Sequence, residues 1–311
     1  MRYDSILDTI GHTPLVEVPH ISPNNKVRIF AKLEGQNPTG SVKDRIAKYM
    51  LDGAVRSGQL TKDKTILEAT SGNTGISLAM IAQLQGYKLK VVMPENVTQE
   101  RVQLLEAFGT EIVFTEGSKG TNGAIERAQE IVRDDERYFM PDQYANSANP
   151  LAHYETTGAE ILEEVPQIDA FIAGLGTGGT LMGAGRRLKE HNPRTKVIAV
   201  VPHPGDQIQG LRRLEEGFIP PIVDLSLLDG RMVVNSKDAF LATKYLTQKE
   251  GILAGISSGA VIYAAIRIAE RMDEGNIVVL LADGGWKYLS TGLWTRDIAE
   301  LEEDIAGKIW W

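Results

Sequence analysis

Lys43 stands in Asn37-Pro38-Thr39-Gly40-Ser41-Val42-Lys43-Asp44-Arg45, where a helical pattern begins. Ser41 and Asp44, three residues apart, make an approximate capping box, with aspartate where glutamate or glutamine is usual. That cap puts Lys43 in the first helical turn, near the positive end of the helix dipole. A cation is disfavoured there, so the amine's pKa is expected to fall, as a Schiff-base nucleophile requires. A solvent-exposed lysine is the plain alternative.

Three further loops carry chemistry-bearing residues at strand-to-helix junctions. Glu68-Ala69-Thr70-Ser71-Gly72-Asn73-Thr74-Gly75 offers backbone donors and four polar side chains at one helix N-terminus, a setting suited to a carboxylate. Gly174, Gly176 and Gly179 spell G-x-G-x-x-G. A dinucleotide site also needs an acid at the end of the next strand, and Val200-Val201-Pro202-His203 has none. The remaining reading is a cradle for one phosphate, made of consecutive N–H groups and the Thr177 and Thr180 hydroxyls; a structural glycine turn is the alternative. Gly255-Ile256-Ser257-Ser258-Gly259 matches the hydrolase elbow G-x-S-x-G, whose triad places a histidine later in the chain. The last histidine is His203, so that reading is weak. Ser257 is expected to cap a helix starting near Gly259, which does not exclude a second task for its hydroxyl.

Strands are expected at 28–33, 65–69, 89–93, 111–114, 170–173, 196–201 and 276–282. Helices are expected at 43–57, 75–85, 98–108, 121–134, 150–164, 179–191, 237–250 and 259–273. This alternation predicts an α/β fold with mostly parallel sheets covered on both faces, binding ligands at strand carboxyl ends. The glycines cluster at those junctions, at 72–75, 174–179, 255–259 and 284–285.

The 311 residues include 31 Gly, above the usual ~7%, and no Cys. The missing cysteine excludes thiol nucleophiles and thiolate metal sites, and no metal is expected. A formal charge of -8 without a like-charge block speaks against nucleic acid or an anionic membrane as partner. The longest apolar runs, such as 277–282, are far short of a membrane span. Residues 1–10 lack an apolar core of the secretory kind, so a cytoplasmic location is expected.

The order of parts (lysine, carboxylate loop, phosphate loop, serine loop) resembles the fold-type II pyridoxal-phosphate enzymes, and specifically the cysteine synthases. The resemblance runs from Ile10-Gly11-His12-Thr13-Pro14-Leu15 through Lys32-Leu33-Glu34-Gly35-Gln36-Asn37-Pro38 to Lys287-Tyr288-Leu289-Ser290-Thr291-Gly292. His12 departs from the family's I-G-N-T-P-L. The resemblance implies a tryptophan synthase β-like fold of two open, twisted, mostly parallel sheets flanked by helices. It also implies a smaller mobile domain over 42–149, a larger domain from 1–41 plus 150–311, and a homodimer. Lys43 resembles the lysine that binds pyridoxal 5'-phosphate, Asn73 the partner of its ring hydroxyl, and Gly176, Thr177, Gly178, Gly179 and Thr180 its phosphate cradle. Ser257 resembles the partner of the pyridine nitrogen, and Thr70, Ser71, Thr74 and Gln143 the site for the substrate carboxylate. The implied reaction is a β-replacement through an aminoacrylate, giving L-cysteine from O-phospho-L-serine or O-acetyl-L-serine and a sulfur donor. A cystathionine β-synthase, a serine/threonine dehydratase and a non-catalytic relative are the alternatives.

One stretch bears on the leaving group. Ile208-Gln209-Gly210-Leu211-Arg212-Arg213 precedes Gly217-Phe218-Ile219-Pro220, where acetylserine-using A-type enzymes resemble I-Q-G-I-G-x-G-F-I-P without charge. A guanidinium suits a phosphate through bidentate hydrogen bonds. Arg212 therefore resembles the B-type enzymes and the actinobacterial O-phosphoserine sulfhydrylases, whose sulfur donor is a carrier protein's thiocarboxylate. The alternative is a solvated arginine pair. Ile298, Leu301, Ile305 and Ile309 at helical spacing, before Trp310-Trp311, predict a packing tail or a cover for the site.

Overall fold

The computed structural model describes residues 2–70, 72–213 and 218–296. Six strands form one sheet: β1 (Leu15–Glu17), β2 (Val27–Leu33), β7 (Ala170–Gly174), β8 (Lys196–Pro202), β9 (Gly230–Val234) and β10 (Gly275–Leu281), in the order β1-β2-β10-β7-β8-β9. Only β1, on the edge, runs antiparallel to its neighbour. Four strands make a second, wholly parallel sheet: β3 (Thr65–Ala69), β4 (Lys88–Pro94), β5 (Glu111–Thr115) and β6 (Tyr138–Phe139), in the order β5-β4-β3-β6.

The near-continuous apolar runs of the central strands follow from burial on both faces. Ile29, Ile172, Ile277 and Val279 point to one side, against α8 (Ser236–Glu250) and α9 (Ile256–Ala269). Phe30, Phe171, Ala173 and Val278 alternate to the other, against α6 (Gly158–Glu164) and α7 (Gly179–His191). In the smaller sheet, Ile66 and Val91 face α1 (Lys43–Arg56) and α2 (Asn73–Gln85), while Leu67 and Val92 face α4 (Gly120–Asp134). Each aliphatic side chain so buried contributes roughly 1.5–3 kcal/mol, which a strand solvated on one face would forgo at every second residue. The remaining α-helices among the described residues are α3 (Gln99–Ala107) and the short α5 (Ala148–Ala152).

Every strand expected from the sequence is present, and β1, β6 and β9 are additional. All three are short edge strands of mixed exposure, so they lack the apolar run that marks a central strand. The helix expected over 150–164 is not uniform: a π turn, His153–Thr157, separates α5 from α6. His12 sits at φ 47, a left-handed conformation that asparagine and histidine tolerate better than most residues. No helix among the described residues is long and apolar enough to cross a membrane.

Candidate active site

The carboxyl ends of β3, β7, β8 and β10 open on one cavity of about 200 Å³. Lys43, Thr70, Asn73, Thr74, Gln143, Gly176, Thr177, Gly178, Thr180, Arg212 and Ser257 all line it, so loops more than 200 residues apart in sequence converge. Gly179 lies behind the wall, and Ser71 and the tail over 298–311 fall outside the described residues.

Lys43 is the first residue of α1, but the expected capping box does not form. The Asp44 carboxylate turns back instead to the Thr39 amide (2.7 Å) and the Thr39 hydroxyl, and accepts from Ser77 Oγ (2.5 Å). Ser41 Oγ accepts weakly from the Lys43 amide at 3.3 Å. The lysine amine's pKa is lowered as expected, chiefly by burial, with Asp283 and Glu34 opposing. Beneath it, Arg45 bridges Glu34 and Glu160 in a buried cluster that also holds Lys32 and Thr13.

The loop after β7 meets α7 at Gly178, whose φ of 93 a side chain would strain. A Cβ on Gly176 would lie 2.5 Å from the Gly210 carbonyl oxygen, so only glycine lets these loops close. Asn149 supports the loop from α5: its Nδ2 donates to Thr177 Oγ1 (3.1 Å) and to the Gln143 carbonyl (2.7 Å). Gln143 Oε1 in turn accepts from Thr74 Oγ1 at 2.7 Å, which joins the loops after β3 and β6.

Ser257 is not a helix cap. Helix α9 begins at Ile256, with Gly255 as its cap residue, so Ser257 lies within the first turn with its side chain on the cavity wall. Gly255 is small for a reason: a Cβ there would collide with Asp283 Oδ1, 2.0 Å away. Asp283 Oδ2 accepts from Asn73 Nδ2 (2.8 Å) and the Tyr288 hydroxyl (2.7 Å), while Lys287 Nζ donates to Asn73 Oδ1 (2.7 Å). Both faces of the Asn73 amide are thus fixed. Lys287 is fully buried, and burial pushes its pKa down to about 8 against the pull of Asp283 and Asp44. Arg212 lies over the rings of Tyr144 (5.1 Å) and Phe218 (5.0 Å), which meet edge-to-face.

Sequence reasoning missed Asn149, His153 and Arg101, the last of which lines the cavity, and used Asp283 and Lys287 only as part of a resemblance. The one available signal was the run Asp283-Gly-Gly-Trp-Lys287 beside a strand end.

The family model described as pyridoxal-phosphate dependent enzyme matches residues 6–283. A cysteine synthase of Staphylococcus aureus is 44% identical over 304 residues, covering 94% of this chain and 98% of the relative. Among solved structures, a cysteine synthase of Entamoeba histolytica superposes with a TM-score of 0.90 at 33% identity, covering 99% of this chain and 96% of that one. A hydrogen sulfide-producing enzyme of Fusobacterium nucleatum superposes with a TM-score of 0.87 at 43% identity, covering 92% of this chain and 100% of that one. The chain belongs to the cysteine synthase family of fold-type II, pyridoxal-phosphate dependent enzymes. Its cavity suits that cofactor: it has a lysine amine biased to the neutral form, a glycine loop too tight for side chains, and a serine in a helix's first turn.

Proposed function

We propose that this chain makes L-cysteine by β-replacement, from O-phospho-L-serine in preference to O-acetyl-L-serine, with sulfide or a carrier protein's thiocarboxylate as sulfur donor. The observation that carries the preference is Arg212, held over Tyr144 and Phe218 on the wall of the cavity that Lys43 also lines. A guanidinium in that position offers paired donors to a phosphate leaving group, and an acetyl ester gives it nothing of equal charge to bind.

Lys43 Nζ is the attachment point for pyridoxal 5'-phosphate and the base for the substrate α-proton, because burial favours its neutral form. Gly176, Thr177, Gly178, Gly179 and Thr180 hold the phosphate with backbone and hydroxyl donors at the start of α7. Asn73 and Ser257, both on the cavity wall, would meet the cofactor's ring hydroxyl and its pyridine nitrogen. A serine there does not stabilise a charged pyridinium as an aspartate would, which favours β-elimination over racemisation. Thr70, Ser71, Thr74 and Gln143 take the substrate carboxylate. When bound, the cofactor supplies the electron-withdrawing ring that makes the α-proton acidic and lets the β-substituent leave.

The segment 42–149, which contains the smaller sheet, moves as a domain against 1–41 plus 150–311 in this reading, and the protein works as a cytoplasmic homodimer. The decisive experiment compares kcat/KM for the two serine esters in the wild type and in Arg212→Ala. A charge-assisted hydrogen bond contributes about 1.5–3 kcal/mol, so the variant should lose about 10- to 100-fold on O-phosphoserine and little on O-acetylserine. Equal wild-type values for the two esters would refute the preference.

A further inference from the structure

His153 has no part in the site as the sequence defines it, yet it occupies a built position. It is 2% exposed and opens the π turn His153–Thr157. Single π turns recur at functional sites. Helix α7 presses against this turn so closely that a Cβ on Gly183 would lie 2.0 Å from the Pro150 carbonyl oxygen and 2.7 Å from His153 Cβ. In this position the imidazole spans two hydroxyls. Nδ1 lies 3.0 Å from Thr157 Oγ1 in the same turn, and Nε2 lies 3.2 Å from Thr180 Oγ1 on α7.

The ring can be protonated in two neutral ways, and only one suits its surroundings. If Nδ1 carried the proton, it would donate to Thr157, whose own buried O–H would then have no acceptor among the described residues. An unmade buried donor costs about 1–3 kcal/mol. If Nε2 carries the proton, Thr157 donates to Nδ1 and every group in the pair is satisfied. Thr180 then accepts from Nε2–H, and its own hydroxyl proton must seek an acceptor elsewhere. Thr180 lines the cavity. A charged imidazole would break this order, and burial, with Arg45 nearby, pushes the His153 pKa down to about 3.

We propose that His153 is a positioning residue: Thr157 and His153 form a one-way relay that turns the Thr180 hydroxyl proton into the cavity, making Thr180 a donor to a bound phosphate. This rests on the reading of Gly176–Thr180 as the phosphate cradle.

Two measurements test it. Long-range proton–nitrogen NMR on the holoenzyme, with the His153 signals assigned by their loss in His153→Gln, should show Nδ1 bare and Nε2 protonated. The opposite tautomer overturns the relay whether or not any variant folds. The second measurement follows the loss of visible absorbance from protein loaded with pyridoxal 5'-phosphate or with pyridoxal, which lacks the phosphate. His153→Phe should release pyridoxal 5'-phosphate about ten-fold faster than the wild type while releasing pyridoxal at the wild-type rate, a difference the size of one hydrogen bond to a charged group. His153→Gln, which can donate to Thr180, should restore most of the retention. Equal acceleration for both ligands, or for neither, overturns the proposal. Thr180→Val separates this from a failure of the cradle itself: if that variant, too, releases both ligands at wild-type rates, the phosphate lies elsewhere.

Discussion

Arg45→Met probes the cluster that anchors the helix carrying Lys43. Arg45 donates to Glu34 Oε2 (2.7 Å) and Oε1 (2.8 Å), and to Glu160 Oε1 (2.6 Å) and Oε2 (2.7 Å). Lys32 adds a second cation, 2.7 Å from Glu160 Oε2, so two cations face two carboxylates and the charges balance. Removing Arg45 leaves both carboxylates buried with one ammonium between them. Arg45 and Lys32 hold the Glu160 carboxyl at about 2, against its ordinary 4.5 and against the upward push of burial. At 1.36 kcal/mol per pH unit, that difference corresponds to about 3 kcal/mol at neutral pH. The value matches the about 3–5 kcal/mol expected on breaking a buried ion pair. Because the carboxyl's pKa is depressed in the folded state, this stability is complete above pH 4.5 and disappears as pH falls toward 2. Urea unfolding followed by circular dichroism should therefore show a loss of about 3–5 kcal/mol at pH 7 that shrinks at pH 3. Adding Glu34→Gln to the variant should recover part of the loss, since the buried Lys32 and Glu160 then remain as a balanced pair. A loss under about 1 kcal/mol, or one that does not change with pH, would refute the reasoning.

Three other outcomes follow from the geometry. Lys43→Ala should abolish both the visible absorbance of bound cofactor and turnover, measured by spectrum and cysteine assay. Gly179→Ala would set a Cβ 1.8 Å from Asn149 Oδ1 and displace the residue that links Thr177 to Gln143. A cost of about 1–3 kcal/mol in urea unfolding and a raised KM are expected. Glu68 is buried beside Asp142, and burial pushes its pKa up to about 8. A raised carboxyl pKa stabilises the fold below pH 4.5 and loses that effect as pH rises through 8, so Glu68→Gln should flatten the fall in stability across that window. The pH dependence of the melting temperature reads this directly.

Much of the molecule was legible because its signals are local. The central strands announce themselves as apolar runs, and the loops that follow them contain the glycines and small polar residues that strand-to-helix turns demand. Lys43, Thr70, Asn73, Thr74, Gly176 and Ser257, which line the cavity, each stand within a few residues of a strand end or a helix start. Local rules also failed in identifiable places. Asp44 satisfies Thr39 and Ser77 rather than the expected cap, because Ser77 comes from α2 and no local pattern reports its arrival. The π turn at His153 arises where α7 is packed against it through Gly183, a contact between segments the sequence presents separately.

By itself, the sequence determined the alternation of strands and helices, the positions of the glycine-rich strand-to-helix loops and the lysine's place in a first helical turn. These depend on backbone conformation and side-chain periodicity over a few residues. The tertiary structure alone decided which groups meet. Asn73 is held by Asp283 and Lys287, 210 and 214 residues further along the chain. Burial lowers the Lys43 pKa chiefly because several chain segments enclose it, and the helix start is not the main cause. Hydrogen-bond partners and desolvation act through space, so they exist only once the two sheets have brought their strand ends to one cavity.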